Sequence, residues 1–327
     1  MRRFVGVALL AVAAVACSSA SKGNGSGSTD AVPLIAGFNP GPAPDPSKGF
    51  QIIMPAVTDI PAGSSVEYCT DTSYIVPQDI WVNGSEGFQS ETGHHVIFFY
   101  TMNPVAPDTH VCATDEMGEF QFGMPASQAS AGEGVFSLPG NLAVKIPAGA
   151  QIIVNHHYLN AGMTDVAEAQ SSINVYYADP TIPHTTSSVA VVLDTQLQVP
   201  TGASTYSVDC TINQAYQSWM EIPHMHNWGT HITITDTPAA TGVPAQLFDM
   251  DWQPDYAFDF NVVATSQSPT APFLFNAGDK IHIQCDYMNN TGAAMTFGDE
   301  MCLLVNFTVD PNNVGNVECD RGVWGTF

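Results

Sequence analysis

The stretch "IPAGAQIIVNHHYL", residues 146–159, joins a turn to an apolar run. Proline and glycine open the turn, and isoleucine, valine and tyrosine then dominate, as is typical of a chain entering a β-strand. The stretch therefore predicts a turn followed by a strand. That strand carries two adjacent histidines, His156 and His157, which are candidate metal ligands.

Similar strand-like runs recur along most of the chain, with glycine and proline turns between them. Before residue 178 they include "SVEYC", "HHVIFFYTM" and "SINVYYA", and after residue 186 they include "SSVAVVLDTQLQVP", "THITITD" and "EMCLLVNFTVD". The 327 residues contain 27 glycines and 23 prolines and almost no helix-forming runs after the first twenty residues. This pattern predicts an all-β protein of two tandem antiparallel, jelly-roll-like β-sandwich domains, residues 46–183 and 184–327, with a cleft between them.

The N-terminus has the features of an export signal. "MRR" is followed by the apolar "FVGVALLAVAAVA" and by Cys17 in "AVAC", which is similar to a bacterial lipobox. We expect a lipoprotein signal peptide over residues 1–16, lipidation of Cys17, and a flexible Gly/Ser/Pro linker over residues 17–45. The expected location is the bacterial cell envelope, at the outer membrane. An ordinary secretory signal cleaved nearby is the alternative.

The charge balance excludes several classes of partner. Loss of residues 1–16 removes two of the 7 basic residues and none of the 31 acidic ones, so five basic residues remain. Such an acidic chain is a poor partner for nucleic acid or for anionic lipid, and membrane contact is expected only through the Cys17 anchor. Few side chains remain to bind an anionic substrate.

Six cysteines follow Cys17, an even number that predicts three disulfides in an exported protein. None of them forms a CxxC pair. If the two domains fold independently, Cys69 must pair with Cys112, because only these two precede residue 200. The pairing of the other four is left open by their positions alone.

Histidine pairs and one methionine form the candidate metal ligands. In "EIPHMHNWGTHI", residues 221–232, His224 and His226 point to the same side of a strand, although the motif alone is equally compatible with two exposed histidines. Adjacent histidines, as at His94 and His95, need a bulge or twist to share a metal. Met301, in "FGDEMCLLVNF", adds a thioether, and a set of imidazole and thioether ligands suits Cu(I). A core methionine is the alternative.

The order of these motifs, HH, then HY, then HxH, then "DEMC", resembles the copper type II, ascorbate-dependent monooxygenases, the family of peptidylglycine α-hydroxylating monooxygenase and dopamine β-monooxygenase. The resemblance covers most of residues 50–320. It implies one copper held by His94, His95 and His157, and a second, catalytic copper held by His224, His226 and Met301. It favours His157 over His156, and it implies the disulfides Cys210–Cys319 and Cys285–Cys302.

Four further histidines match no ligand position of the family: His110, His184, His231 and His282. Among them, we expect His231 to contact the metal ligands without binding the metal itself.

The resemblance implies hydroxylation of a substrate C–H bond by O2, with two copper ions per chain and a reductant such as ascorbate. The peptide-hydroxylating member holds its substrate carboxylate through polar residues at positions where this chain has Ile222, Leu303 and Val305. The expected substrate is therefore a small, neutral or cationic, partly apolar molecule. The alternatives are a non-catalytic copper-binding or storage lipoprotein on the cell surface, and a structural or adhesive sandwich with incidental histidines.

Overall fold

The structure, a computed structural model, describes residues 32–113, 116–126, 135–160, 162–257 and 262–326. The predicted signal peptide, Cys17 and the first half of the predicted linker lie outside these residues. The second half of that linker forms no strand, yet it is bonded to the body of the protein, since Gln170 accepts from the backbone N–H of Ile35 and donates to the carbonyl of Pro33. In the described part of the chain, no helix has the length and apolar character needed to cross a membrane.

The prediction of an all-β protein is confirmed. The strands before residue 178 are β1 (Gly49–Ile53), β2 (Val57–Ile60), β3 (Ser65–Ile75), β4 (Ile80–Gln89), β5 (Gly93–Thr101), β6 (Asp108–Val111), β7 (Gln121–Ala126), β8 (Val135–Ser137), β9 (Leu142–Ile146), β10 (Gln151–Leu159), β11 (Val166–Ala169) and β12 (Ser171–Tyr177). Residues 146–159, the stretch "IPAGAQIIVNHHYL", thus form the end of β9, a turn and β10.

The later strands are β13 (Thr185–Leu193), β14 (Gln198–Val199), β15 (Gly202–Thr211), β16 (Tyr216–His224), β17 (Gly229–Thr237), β18 (Ala245–Asp251), β19 (Thr265–Ser266), β20 (Phe273–Phe275), β21 (Lys280–Asn289), β22 (Met295–Thr296), β23 (Leu303–Val309), β24 (Val317–Asp320) and β25 (Val323–Thr326). Short 3-10 helices cover Glu116–Glu119 and Pro254–Ala257.

Antiparallel sheets stack in pairs to form the sandwich layers. In the first half of the chain, the sheet β6-β3-β10-β5-β7 packs against β4 and β12, which belong to the run β1-β12-β4-β9. In the second half, the sheet β15-β21-β17-β18 packs against the run β13-β23-β16-β19. Burial between paired sheets explains why the inward positions of these strands are valine, isoleucine and phenylalanine.

The two halves of the chain are joined by a sheet and by a common core. A short parallel pairing of β9 with β13, Leu142 with Thr185 and Ala143 with Thr186, links the two four-stranded runs into one larger sheet. One cluster of buried apolar side chains also continues from β1 through to β24. The chain changes halves between β12 and β13, near the predicted join, but the division into two separate domains stays a prediction.

The described residues contain three disulfides, and all three predicted pairs are confirmed: Cys69–Cys112, Cys210–Cys319 and Cys285–Cys302. Three such bridges are typical of a protein exported to an oxidising environment. The third bridge ties β21 to the residue that follows Met301, so it holds the predicted methionine ligand close to the core of the second half.

Candidate metal centre

A β-bulge brings the adjacent histidines of β5 to the same place. His157 on β10 pairs with His95, but the next pairing joins Tyr158 to Gly93, so His94 is the extra residue in the β5 ladder. The ring centroids of His94, His95 and His157 lie 4.8–4.9 Å apart. One nitrogen from each ring falls within 4.8 Å of the others, a spacing that suits a shared metal ion.

His156 faces away from this cluster. Every residue of β10 is buried, so the two faces of the strand meet different parts of the interior. The Nε2 atom of His156 lies 3.0 Å from the Thr70 hydroxyl, and its Nδ1 atom lies 3.2 Å from the Tyr158 hydroxyl. Strand alternation thus assigns His157 to the cluster and His156 to the hydrogen-bonded core.

The HxH motif of the second half meets the same cluster. β16 ends at His224, and His226 follows with its ring centroid 5.1 Å from that of His224. The His94 ring lies 6.0 Å from His224 and 5.2 Å from His226, and one nitrogen from each of the three falls within 4.8 Å of the others. A second potential metal triad therefore shares His94 with the first.

The two predicted ligand sets lie next to each other. The rings of His157 and His226, which the prediction places on different coppers, are only 5.5 Å apart. The bulged residue His94 also lies next to His224 at the end of β16. Five histidines from both halves, His94, His95, His157, His224 and His226, consequently form one cluster, which we call the histidine cluster.

Hydrogen bonds from neighbouring groups select the ring nitrogens that can bind a metal. The Nδ1 atom of His226 donates to the Asp299 carbonyl at 3.1 Å, which leaves its Nε2 atom buried without a hydrogen-bond partner. The Nε2 atom of His95 lies 3.0 Å from Oδ1 of Asn155. Such contacts fix the tautomer and orientation of ligating imidazoles.

Glu67 and Asn155 are polar residues beside the first triad that the sequence reasoning missed. Asn155 donates through Nδ2 to Oε2 of Glu67 at 3.3 Å, and Oε1 of Glu67 lies 3.7 Å from Nδ1 of His157. Burial raises the pKa of Glu67 to about 7. The available signal was weak: Glu67 and Asn155 stand in strand-like runs at positions that also suit ordinary surface residues.

Glu300 ties the HxH segment to Met301, and the sequence reasoning gave it no role. Its carboxylate accepts hydrogen bonds from the backbone N–H groups of His226 at 3.0 Å, Trp228 at 2.7 Å and Met301 at 3.2 Å. The side chain is fully buried, and burial raises its pKa to about 7. The sequence signal that could have identified Glu300 is its position directly before Met301, next to an apolar run.

Met301 lies beside the histidine cluster in an apolar cavity. The cavity, of about 190 Å³, is lined by His94, His95, His224 and Met301 among others. Met301 packs against Leu193 and Leu303, and its carbonyl accepts the Tyr287 hydroxyl at 2.8 Å. The structure thus places all six predicted ligands in one region.

Burial keeps the histidine cluster neutral. It lowers the pKa of His95 and of His226 to about 4, and it lowers the pKa of His94, His157 and His224 well below the usual value. The neighbouring imidazoles add to this effect, because two cationic rings would repel each other at these distances. Neutral imidazoles present the lone pairs that a metal ion requires.

The prediction that His231 supports the ligands is wrong. His231 lies between two carboxylates of β18, with Nε2 2.8 Å from Asp249 and Nδ1 3.0 Å from Asp251. Asp299, Asn155 and Glu300 support the ligands instead. The other three unmatched histidines also have partners outside the cluster: His110 with Glu116, His184 with the Asp179 carbonyl, and His282 with Asp209.

No protein-family model matches the chain, and no curated protein matches it either. Among solved structures, the chain is similar to the recombinant peptide:N-glycanase F, with 11% identity and a TM-score of 0.36 over 85% of this chain and 99% of that chain. A structure of the Gx strain of infectious bursal disease virus shows 10% identity and a TM-score of 0.18 over 84% of this chain and 77% of that chain. Scores this low carry no functional information.

Proposed function

We propose that the histidine cluster binds copper and that the protein is a copper-dependent monooxygenase, which hydroxylates a C–H bond of a small organic substrate with O2 and a reductant such as ascorbate. The observation that carries this proposal is a cluster of five histidines from both halves of the chain, three of which, His94, His95 and His224, line one apolar cavity together with Met301. Imidazole and thioether ligands together suit copper, particularly Cu(I), better than they suit Mg²⁺, Ca²⁺ or Mn²⁺.

The residues that would hold copper are His94, His95 and His157 at one position and His224, His226 and Met301 at the other. When bound, copper supplies the one-electron redox chemistry through which O2 reacts with a C–H bond. The protein's own part is to orient the ligands and exclude water. The Asp299 carbonyl holds the His226 proton on Nδ1, so that Nε2 would be the nitrogen available to copper.

Burial of three of the histidines limits the access of water to them. His94 is 1% exposed, and His157 and His226 are 0% exposed. A dry site strengthens the interaction of any developing charge with the fixed groups around it and limits side reactions with solvent. The cavity beside Met301 leaves space for a substrate at this site.

Non-catalytic copper storage or delivery is a second candidate, and the sharing of His94 by both triads favours it. If His94 contributes one nitrogen, the two triads cannot both be complete at the same time. A protein that only carries copper needs one complete triad and no substrate. Copper stoichiometry and product formation together separate the two functions.

The test compares Met301→Ala with the control variant Met288→Ala. In the parent protein, Met288 is 43% exposed and lies outside the cavity. We expect the parent protein and Met288→Ala to consume O2 with ascorbate and to form a hydroxylated product. Met301→Ala should lose this turnover while retaining histidine-bound Cu(II) in its EPR spectrum. Undiminished turnover in Met301→Ala would refute the role of the thioether, and the absence of turnover in the copper-loaded parent on a broad metabolite mixture would favour copper storage.

We also propose that the exported protein is anchored to the cell envelope, at the outer membrane, through a lipid on Cys17. The lipobox-like "AVAC" and the Gly/Ser-rich segment after it support this location. Cys17→Ala should release the protein from the membrane fraction and abolish labelling by a radioactive fatty acid. Continued labelling of this variant would contradict the anchor.

A further inference from the structure

The cavity beside Met301 has walls from both halves of the chain. Ile97 on β5 and Phe122 on β7 form one side, and Ile222 on β16 forms the other together with three residues of β23, Leu303, Val305 and Phe307. Apart from Glu67 and the histidines that belong to the cluster, these walls are apolar. The cavity therefore offers a substrate mainly dispersion contacts and removal of apolar surface from water.

Charged groups are nearly absent from this cavity. Among the described lining residues, no lysine or arginine is present, and Glu67 is the one acidic side chain. The Glu67 carboxylate already accepts from Asn155, and it lies beside His157. Apart from Glu67, the cavity offers a charged substrate no partner of opposite charge, so such a substrate would lose its hydration without full compensation.

The volume of the cavity suits a small molecule. An apolar cavity of about 150 Å³ stays dry and binds benzene. The present cavity, at about 190 Å³, is slightly larger and opens on His94, His95 and His224. A molecule with one ring or a short branched chain fills such a space and brings a C–H bond next to the histidine cluster.

We infer that the cavity beside Met301 binds an uncharged apolar molecule about the size of a substituted benzene, and that this class of molecule is the substrate of the proposed hydroxylation. The inference rests on the proposed function only in its second part. Binding of the molecule to the cavity is a property of the apolar walls, and it can be measured on the full chain with or without copper.

The test uses three probes that share one ring: toluene, benzylamine and phenylacetate. We expect toluene to bind to the copper-free and to the copper-loaded protein in titration calorimetry. Benzylamine and phenylacetate should bind on the order of tenfold more weakly or worse, because the added charge loses its hydration. Equal or tighter binding of either charged probe, or no binding of toluene, would overturn the inference.

Matched variants test whether the probe binds in the cavity. Val305→Phe fills the space and should weaken toluene binding by about tenfold or more, whereas Val314→Phe, at a 39% exposed position outside the cavity, should leave it unchanged. Val305→Lys introduces a cation and should shift the preference from toluene toward phenylacetate. Equal effects of the two phenylalanine variants, or an unchanged preference in a folded Val305→Lys, would show that toluene binds elsewhere.

The outcomes keep the inference separate from the proposed function. If toluene binds in the cavity but the protein fails to bind copper, the monooxygenase proposal falls and the binding site stands. If copper binds and O2 is consumed only with a charged substrate, the monooxygenase proposal stands and the inference on substrate class falls.

Discussion

His156 and His157 are adjacent in sequence, but His156 lies in the hydrogen-bonded core and His157 lies in the histidine cluster. Replacing each one separately therefore gives a matched pair of variants. His157→Ala removes a nitrogen from the first triad and should weaken copper binding by more than the roughly 10–100-fold that loss of an outer supporting group causes. His156→Ala removes hydrogen bonds to Thr70 and Tyr158 instead. It should lower the free energy of unfolding by on the order of 2 kcal/mol, while copper affinity is retained.

Copper affinity is measured by competition with a chromogenic Cu(I) chelator, and stability by urea unfolding of the copper-free protein. A copper defect in His156→Ala as large as that in His157→Ala would mean that the alternation of β10 does not separate the ligand from the core histidine.

Glu300 is a positioning residue, because its carboxylate accepts N–H groups from both the HxH segment and Met301. In Glu300→Gln, one side-chain oxygen becomes an NH₂ donor that faces backbone donors, and at least one of these bonds is lost. We expect copper affinity to fall by about 10–100-fold and the free energy of unfolding to fall by about 1–3 kcal/mol. X-ray absorption at the copper edge should show a weakened sulfur contribution, which a purely structural role would not change.

The control is Glu168→Gln, since Glu168 is exposed on β11 and remote from the cluster. An intact sulfur contribution in Glu300→Gln, together with parent-like copper affinity, would assign Glu300 to the stability of the fold alone.

At the scale of elements, the strands were predictable from local sequence, whereas their registers were not. Runs such as "AQIIVNHHYL" form strands because apolar and β-branched residues are bounded by glycine and proline turns. The bulge at His94 depends on how β5 pairs with β10, and no local pattern encodes that pairing. For the same reason, sequence identified the six candidate ligands but missed Glu67 and Asn155, whose role exists only once β3 and β10 are adjacent.

The disulfide Cys285–Cys302 connects β21 with the segment that carries Met301, so it should affect both stability and copper binding. It closes a loop with a sequence separation of 17, and its removal in Cys285→Ala/Cys302→Ala should cost about 3 kcal/mol of unfolding free energy. Met301 is adjacent to the lost bridge, and its greater freedom should also weaken Cu(I) binding.

Cys210→Ala/Cys319→Ala provides the comparison, because that bridge closes a longer loop, of separation 109, away from the cluster. It should cost about 5 kcal/mol in stability and leave copper affinity unchanged. Both variants are compared as folded protein, as judged by circular dichroism. Equal copper affinities in the two variants would contradict a role of the Cys285–Cys302 bridge in holding the ligand.

At the scale of the whole molecule, the continuous core predicts one cooperative unfolding transition. Buried apolar side chains of both halves belong to one cluster, and β9 pairs with β13 across the join. Loss of one half would expose apolar surface of the other, so the halves should unfold together. Independent domains would instead show two transitions.

Tryptophan placement makes this test direct, since Trp81 is the one tryptophan before residue 185 and the other four follow it. In Trp81→Phe, fluorescence reports only the second half, whereas the hydrogen exchange of β10 reports the first. We expect urea midpoints from the two probes to coincide, and both to rise together when Cu(I) is added, because the histidine cluster takes ligands from both halves. Separate midpoints, or a copper-induced rise confined to one half, would show that the halves are energetically independent and that copper binds within only one of them.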